Sequence, residues 1–179
     1  MSADAPAIGA GVERTALRGA IGGTAAAMFD GDAAAFGLSA PLPPATQAAM
    51  EDEQMRAHCN AMPAEMAPGM VEAQRLRDAA FASALLRAAD ARARPGPAVL
   101  VTGDGHARRD RGSPAYLAAA APSRSLLVVG QINRPADGDW RAALAQWQGA
   151  DGAPAFDVVV ITDAPQGRGD PCEAFRKQK

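Results

Sequence analysis

Histidine is scarce in this chain: only two of its 179 residues are histidines. One of them, His106, lies in AVLVTGDGHARRDRGSPAYL, from Ala98 to Leu117. An apolar run there gives way to a loop holding Gly103, Gly105, His106, Arg108, Arg109 and Arg111, and then to Ser113-Pro114. Near neutral pH an imidazole can act as base, proton carrier or metal ligand. Arginines fork onto carboxylates and phosphates, and glycine lets a backbone approach a ligand closely. Serine followed by proline is a strong N-cap and first-turn pair, which aims the positive end of the next helix at the same loop. The stretch therefore reads as the rim of a ligand site. A plainer reading stands beside it, in which His106 bonds the backbone and Asp104 and Asp110 pair with the arginines at the surface.

The common motifs do not complete. Gly103 and Gly105 begin a G-x-G, but Arg108 stands where a dinucleotide fingerprint needs its last glycine. The chain has no G-K-[ST] and no G-x-S-x-G. A second group lies upstream: His58, Cys59, Met62, Met66 and Met70. Thiolates and thioethers suit Cu(I) or a haem face, although methionines at helical spacing more often fill a core. Arg77 and Asp78 fall mid-helix. They form either an exposed face or a buried charged pair facing the strand rim, costly unless a ligand or each other is used.

These residues need elements to position them. Residues 13–28 look helical, with a weak point at Gly22-Gly23. Pro43 and Pro44 open a helix running to about His58. Pro63 and Pro68 forbid a continuous helix through NAMPAEMAPGM. The longest periodic segment is Gly69 to Ala91, stopped by RARPGP. The second half alternates: AVLVT (98–102), SLLVVGQ (125–131) and DVVVIT (157–162) read as buried strands, and helical patterns lie near 114–121 and 138–148. Such alternation predicts an α/β fold: a parallel sheet flanked by helices on both faces, with a helical subdomain in the N-terminal half. The expected organisation is a single domain over 1–179, mainly helical over 13–93 and α/β over 97–179. Three strands leave edges to cover, so further strands are expected before residue 1. Ligands in such sheets sit beyond the carboxyl ends of the strands, where the His106 loop is expected.

Composition narrows the classes. A net charge of −2 gives no electrostatic case for nucleic acid. Aromatics are only 4 %, so packing must rest on Ala, Leu, Val and Met. No run is long enough for a transmembrane helix, and the N-terminus does not read as a signal peptide. Cys59 and Cys172 have neither zinc-knuckle nor C-x-x-C spacing, so unrelated thiols and a disulfide both remain open.

Three stretches, in order, carry a resemblance: HCNAMPAEMAPGMVEAQRLRDAAFASAL, VLVTGDGHARRDRGSPAYL and DVVVITDAPQGRGDPCEAF. Over roughly residues 45–176 the chain resembles the ChaN family of haem-binding uptake proteins, in the Tiki/TraB-like superfamily. The resemblance implies an exported, often lipid-anchored protein of the periplasm or outer membrane. It also implies non-covalent haem binding, homodimerisation and a role in iron uptake. By position it assigns ligand roles to Gly103, Gly105 and His106, to Arg77 and Asp78, and to His58. Arg108 joins them as a partner for a propionate, and Tyr116, the single tyrosine, is the one residue able to supply a tyrosinate. Both cysteines fall in family-like motifs, so the resemblance favours a Cys59–Cys172 bridge. The family's opening G-E-x-H motif has no counterpart here, so the chain is expected to be N-terminally incomplete and to lack catalytic residues. A metal-dependent hydrolase like other superfamily members, including the erythromycin-esterase-like ones, is the alternative, with an inactive truncated relative as the third.

Overall fold

The computed structural model describes residues 7–91, 96–135, 137–149, 151–163, 169–170 and 172–173. Its first half is helical, as the proline and glycine punctuation predicts. Helix α1 (Arg14–Gly22) and the short α2 (Ala25–Met28) part at Gly23-Thr24, where the Thr24 hydroxyl accepts from the Ala27 amide. Helix α3 (Pro44–Ala57) opens on proline, and a 3-10 turn (Ala64–Met66) leads into the long α4 (Ala67–Asp90), with Pro68 in its first turn. Helix α4 is the axis of the molecule and packs against α1, α2, α3 and the later α6 (Ser113–Ala120). Gly69 makes one of these approaches possible, since a Cβ there would stand 2.4 Å from the Ile21 carbonyl oxygen of α1.

Ala20, Ala25, Leu76, Ala79, Ala82, Tyr116 and Leu117 form the main core, most of it small side chains. With so few aromatics, close helix approach supplies the burial that large residues would otherwise give. A second cluster of Val128, Ala155 and Phe156 lies under the sheet, and Leu126 packs against both clusters.

The sheet is smaller than the sequence predicts. Strands β1 (Val129–Asn133) and β2 (Val158–Thr162) pair in parallel, Val129 opposite Val158 and Asn133 opposite Thr162. The crossover between them holds helix α7 (Trp140–Ala145). The fold is thus mixed α/β with a parallel sheet, as expected, but AVLVT is not one of its strands. Val99 and Val101 are 78 % and 91 % exposed, and no sheet partner for 98–102 stands among the described residues. The apolar run earned its strand reading from β-branched content, which cannot itself supply a neighbour to hydrogen-bond. Nor are both sheet faces covered, since Val129, Val158 and Val160 remain about half exposed.

Candidate functional site

The His106 loop is a single short helical turn, α5 (Asp104–Ala107), followed by a tight return to α6. Gly112 makes the return possible. A Cβ there would stand 2.4 Å from the His106 carbonyl oxygen and 2.8 Å from that of Arg108. The glycines singled out by sequence have lesser roles: Gly103 sits in ordinary extended backbone with open space around it, and Gly105 faces only the end of the Glu53 side chain. Ser113 is not the cap of α6. Gly112 holds that position, and the Ser113 hydroxyl instead donates to Asp78 Oδ1 at 3.1 Å.

Every arginine of the loop is already engaged. Arg108, only 2 % exposed, forks onto Asp110 at 2.9 and 3.0 Å, donates to the Gln148 carbonyl and lies over the Trp147 ring. Arg109 forks onto Asp157 at 2.8 and 2.6 Å and also reaches the Leu126 carbonyl. Arg111 pairs with Glu53 of α3 and with Asp110. The hydrogen bond from Arg109 holds the Asp157 carboxyl below its ordinary range, and Asp157 in turn raises Arg109. These contacts correct the expected location. Asp157 and Leu126 precede β2 and β1, so the loop meets the amino-terminal approaches of the sheet and not its carboxyl ends. The carboxyl-end rule fails here because 98–102, whose end the loop follows, does not join the sheet.

At the centre stands His106. Its Nδ1 is 2.8 Å from Asp78 Oδ1 and 2.9 Å from Gln74 Nε2, and the Phe81 ring meets the imidazole edge-on at 5.2 Å. Gln74, Asp78 and Phe81 follow helical spacing on one face of α4. Asp78 is fully buried and also accepts from Gln74 Nε2 at 3.2 Å. Ser113 and Gln74 both donate to Asp78, and in the tautomer that carries its proton on Nδ1 the imidazole donates to it as well. Nε2 then keeps its lone pair, and the described residues give it no hydrogen-bond partner. Burial pushes the Asp78 carboxyl up, against the opposing pull of His106, Ser113 and Gln74.

His106 lines a cavity of about 680 Å³. Its walls are the C-terminal half of α4 (Ala82, Leu85, Leu86), the 96–102 segment, the first turns of α6 and the approach to β1. The lining is predominantly apolar, with Thr102, His106, Ser113, Arg124 and Ser125 as its polar residues. Its volume falls in the range of small-molecule sites, roughly 300–1,000 Å³.

The other candidates do not join it. Arg77 is only partly buried and does not pair with Asp78, because neighbours on a helix point about 100° apart. The buried arginine of α4 is Arg75, bound to Glu72 and to the Leu38 and Ala40 carbonyls. Tyr116 lies in the main core beside Arg75, and burial pushes its phenol up to about 12. His58 caps α3, with Nδ1 2.8 Å from the Gln54 carbonyl. The soft-donor group is not a cluster either: Met66 is 42 % exposed, and Cys59 is bonded to Cys172, their Cα atoms 5.4 Å apart. Among the described residues no three His, Cys, Asp or Glu side chains converge to hold a metal ion. Sequence reasoning missed Gln74 and Asp157. The i,i+4 spacing of Gln74 and Asp78 was the available signal for the first.

Fold and site together define a mixed α/β protein with an apolar cavity and a carboxylate-backed histidine at its edge. The chain belongs to the family described as haem-binding uptake, Tiki superfamily, ChaN, which it matches over residues 1–117. The match takes in the N-terminal helices and ends inside α6, leaving DVVVITDAPQGRGDPCEAF outside it. No curated protein and no solved structure matches the chain.

Proposed function

We propose that this chain binds haem non-covalently in the apolar cavity, with His106 Nε2 facing the iron. The observation that carries the reading is the Asp78–His106 pair at the cavity edge. Metal-ligating histidines commonly donate their other ring N–H to a carboxylate, which fixes the tautomer and makes the free nitrogen more basic. The donor set also fits the group: apolar walls suit the macrocycle, and an imidazole is an ordinary haem ligand. Bound haem would supply an iron centre. The chain's own part is to exclude water, orient Nε2 and seat the Nδ1–H of His106 against Asp78.

A role in haem or iron uptake, outside the cytoplasm, extends this reading. The Cys59–Cys172 bridge supports an oxidising compartment, and among the described residues no helix is long and apolar enough to cross a membrane. A homodimer belongs to the same reading, supported by the exposed valines of the sheet. The test is titration of the purified protein with haemin. A saturable Soret shift with one haem per chain, abolished or displaced in His106→Ala, is the expected result. An unshifted free-haemin spectrum refutes it.

The same pair could serve a hydrolase as an oriented base. Metal-dependent ester or peptide cleavage that is lost in His106→Ala, without haemin binding, would favour that reading instead.

A further inference from the structure

A ring nitrogen of a neutral imidazole holds either a proton or a lone pair, and His106 Nδ1 meets a neighbour suited to each. Asp78 Oδ1 lies 2.8 Å from it and calls for a proton there. Gln74 Nε2 lies 2.9 Å from it and, as a donor, calls for a lone pair. Asp78 holds the Gln74 amide in that orientation, since Nε2 also donates to Asp78 Oδ2 at 3.2 Å. Turned over, the amide would set Oε1 against that carboxylate oxygen, acceptor facing acceptor. Residues 74 and 78 are i,i+4 neighbours on α4, so one helix face brings both claims onto one atom.

Neither tautomer serves both neighbours. With the proton on Nδ1, the imidazole donates to Asp78 and Gln74 faces it donor to donor. With the proton on Nε2, Nδ1 accepts from Gln74 and meets Asp78 Oδ1 acceptor to acceptor. A bond to an ionised carboxylate is the stronger single bond, which favours the first form. The second form competes because it strands no group: the carboxylate keeps the Ser113 hydroxyl and one Gln74 hydrogen, and the other Gln74 hydrogen goes to Nδ1. The difference reaches the cavity that His106 lines. There the first form presents a lone pair at Nε2 and the second an N–H donor.

We propose that Gln74 is a positioning residue that sets the tautomer balance of His106, and with it how much of the protein presents a lone pair able to ligate a metal centre. The Nε2–H form gives the cavity a donor suited to an acceptor oxygen on an apolar ligand. Gln74 therefore widens what the site accepts and weakens its hold on iron. A ligand that needs one form binds more weakly in proportion to that form's population. The balance itself stands on the geometry of the three side chains, and only its effect on haemin rests on the haem reading above.

The test pairs NMR of the histidine ring nitrogens with haemin titration, under conditions where the imidazole carries one proton. His58→Ala assigns the signals, since the chain has only two histidines. Wild-type protein should show His106 in both forms. Gln74→Met, similar in length and without a donor, should move His106 wholly to the Nδ1–H form. It should also tighten haemin, by about twofold if wild type holds the two forms evenly, and in general by the inverse of the wild-type Nδ1–H fraction. Loss of a merely supporting contact would weaken haemin instead. A pure Nδ1–H signal in wild type, unchanged tautomers in Gln74→Met, or a haemin affinity that fails to rise there overturns the proposal while the haem reading stands. A tautomer shift as expected in a protein that binds no haemin supports the balance and removes the haem reading. Should Gln74→Met fold poorly, the wild-type spectrum alone decides.

Discussion

His106 Nδ1 lies 2.8 Å from the carboxylate of Asp78, a residue 28 positions earlier that is completely buried on α4. An ionised carboxylate with no solvent contact is expensive to hold in a protein interior. Burial raises the Asp78 pKa, so its ionisation makes folding less favourable. The stability this group contributes is full below its unfolded pKa and declines as pH rises through the higher folded value. A residue kept at that cost invites a functional account, here the orientation of His106.

Asp78→Asn should separate the two roles. Relative to wild type, its melting temperature should improve progressively as pH rises from about 4 toward neutrality, because asparagine has no charge to desolvate. Haemin affinity should fall by roughly 10- to 100-fold, the usual effect of removing a metal ligand's supporting carboxylate. Thermal melts across pH and a haemin titration provide both measurements. A variant that binds haemin as well as wild type would detach Asp78 from the site.

Tyr116→Phe should leave the haemin spectrum as it is in wild type. The phenol sits in the core beside Arg75, and with its pKa pushed up to about 12 it does not present a tyrosinate near neutral pH. The same titration on His58→Ala should also be unchanged, because that side chain is occupied at the end of α3. Loss of the Soret shift in Tyr116→Phe would transfer the ligand role from His106 to tyrosine.

Most of the helical half was legible from punctuation. Pro44, Pro68 and the Gly22-Gly23 pair set helix limits through backbone geometry, which acts locally and so can be read locally. The sheet was legible only where a partner exists: VVVIT found VGQIN, while AVLVT is likewise apolar with β-branched residues and has no described neighbour. Much the same divides the site. His106 stood out because a lone histidine in a glycine-rich loop is conspicuous in any sequence. The fate of Arg108 and Arg109 depended on Gln148, Asp157 and Leu126, contacts across distances no local pattern encodes.

Gly112→Ala should disable the loop. The added Cβ would meet two carbonyl oxygens closer than van der Waals contact allows, and backbone cannot yield as a side-chain tip does. A loss of about 1–3 kcal/mol, the usual range for overpacking, is expected in urea denaturation, together with weaker haemin binding. Gly103→Ala is the control: with open space and no positive φ, it should change stability by less than about 0.5 kcal/mol.

Asp157 anchors the other side of the loop, forked by Arg109 and also accepting the Val128 amide at 2.7 Å. Its folded pKa lies below the ordinary value of 3.8. That contribution to stability is therefore present above the unfolded pKa and disappears as pH falls through the folded one. Asp157→Asn should lower the melting temperature at pH 7 and converge with wild type as pH falls through the lowered folded value. A constant difference across that range would place its effect in packing and not in charge.

The Cys59–Cys172 bridge closes a loop of 113 residues and ties the chain after β2 to the end of α3. Cys59 itself occupies an unusual backbone position. Its φ is +58°, its amide donates to the Arg56 carbonyl at 2.9 Å, and the next amide, Asn60, donates to Met55 at 2.8 Å. This is the two-bond helix stop that normally places glycine in the left-handed position. A Cβ-bearing residue there costs roughly 1 kcal/mol relative to glycine. Two effects of opposite sign therefore meet at one residue: the cross-link restricts the unfolded chain, and the conformation strains the folded one. Removing the bridge in Cys59→Ser/Cys172→Ser should destabilise by about 2–5 kcal/mol. Replacing serine by glycine, in Cys59→Gly/Cys172→Ser, should recover about 1 kcal/mol of that loss through the backbone alone. Urea denaturation of both double variants beside oxidised wild type measures each part. Equal stability of the serine and glycine variants would show that the left-handed conformation of Cys59 is imposed by the bridge and relaxes once it is gone.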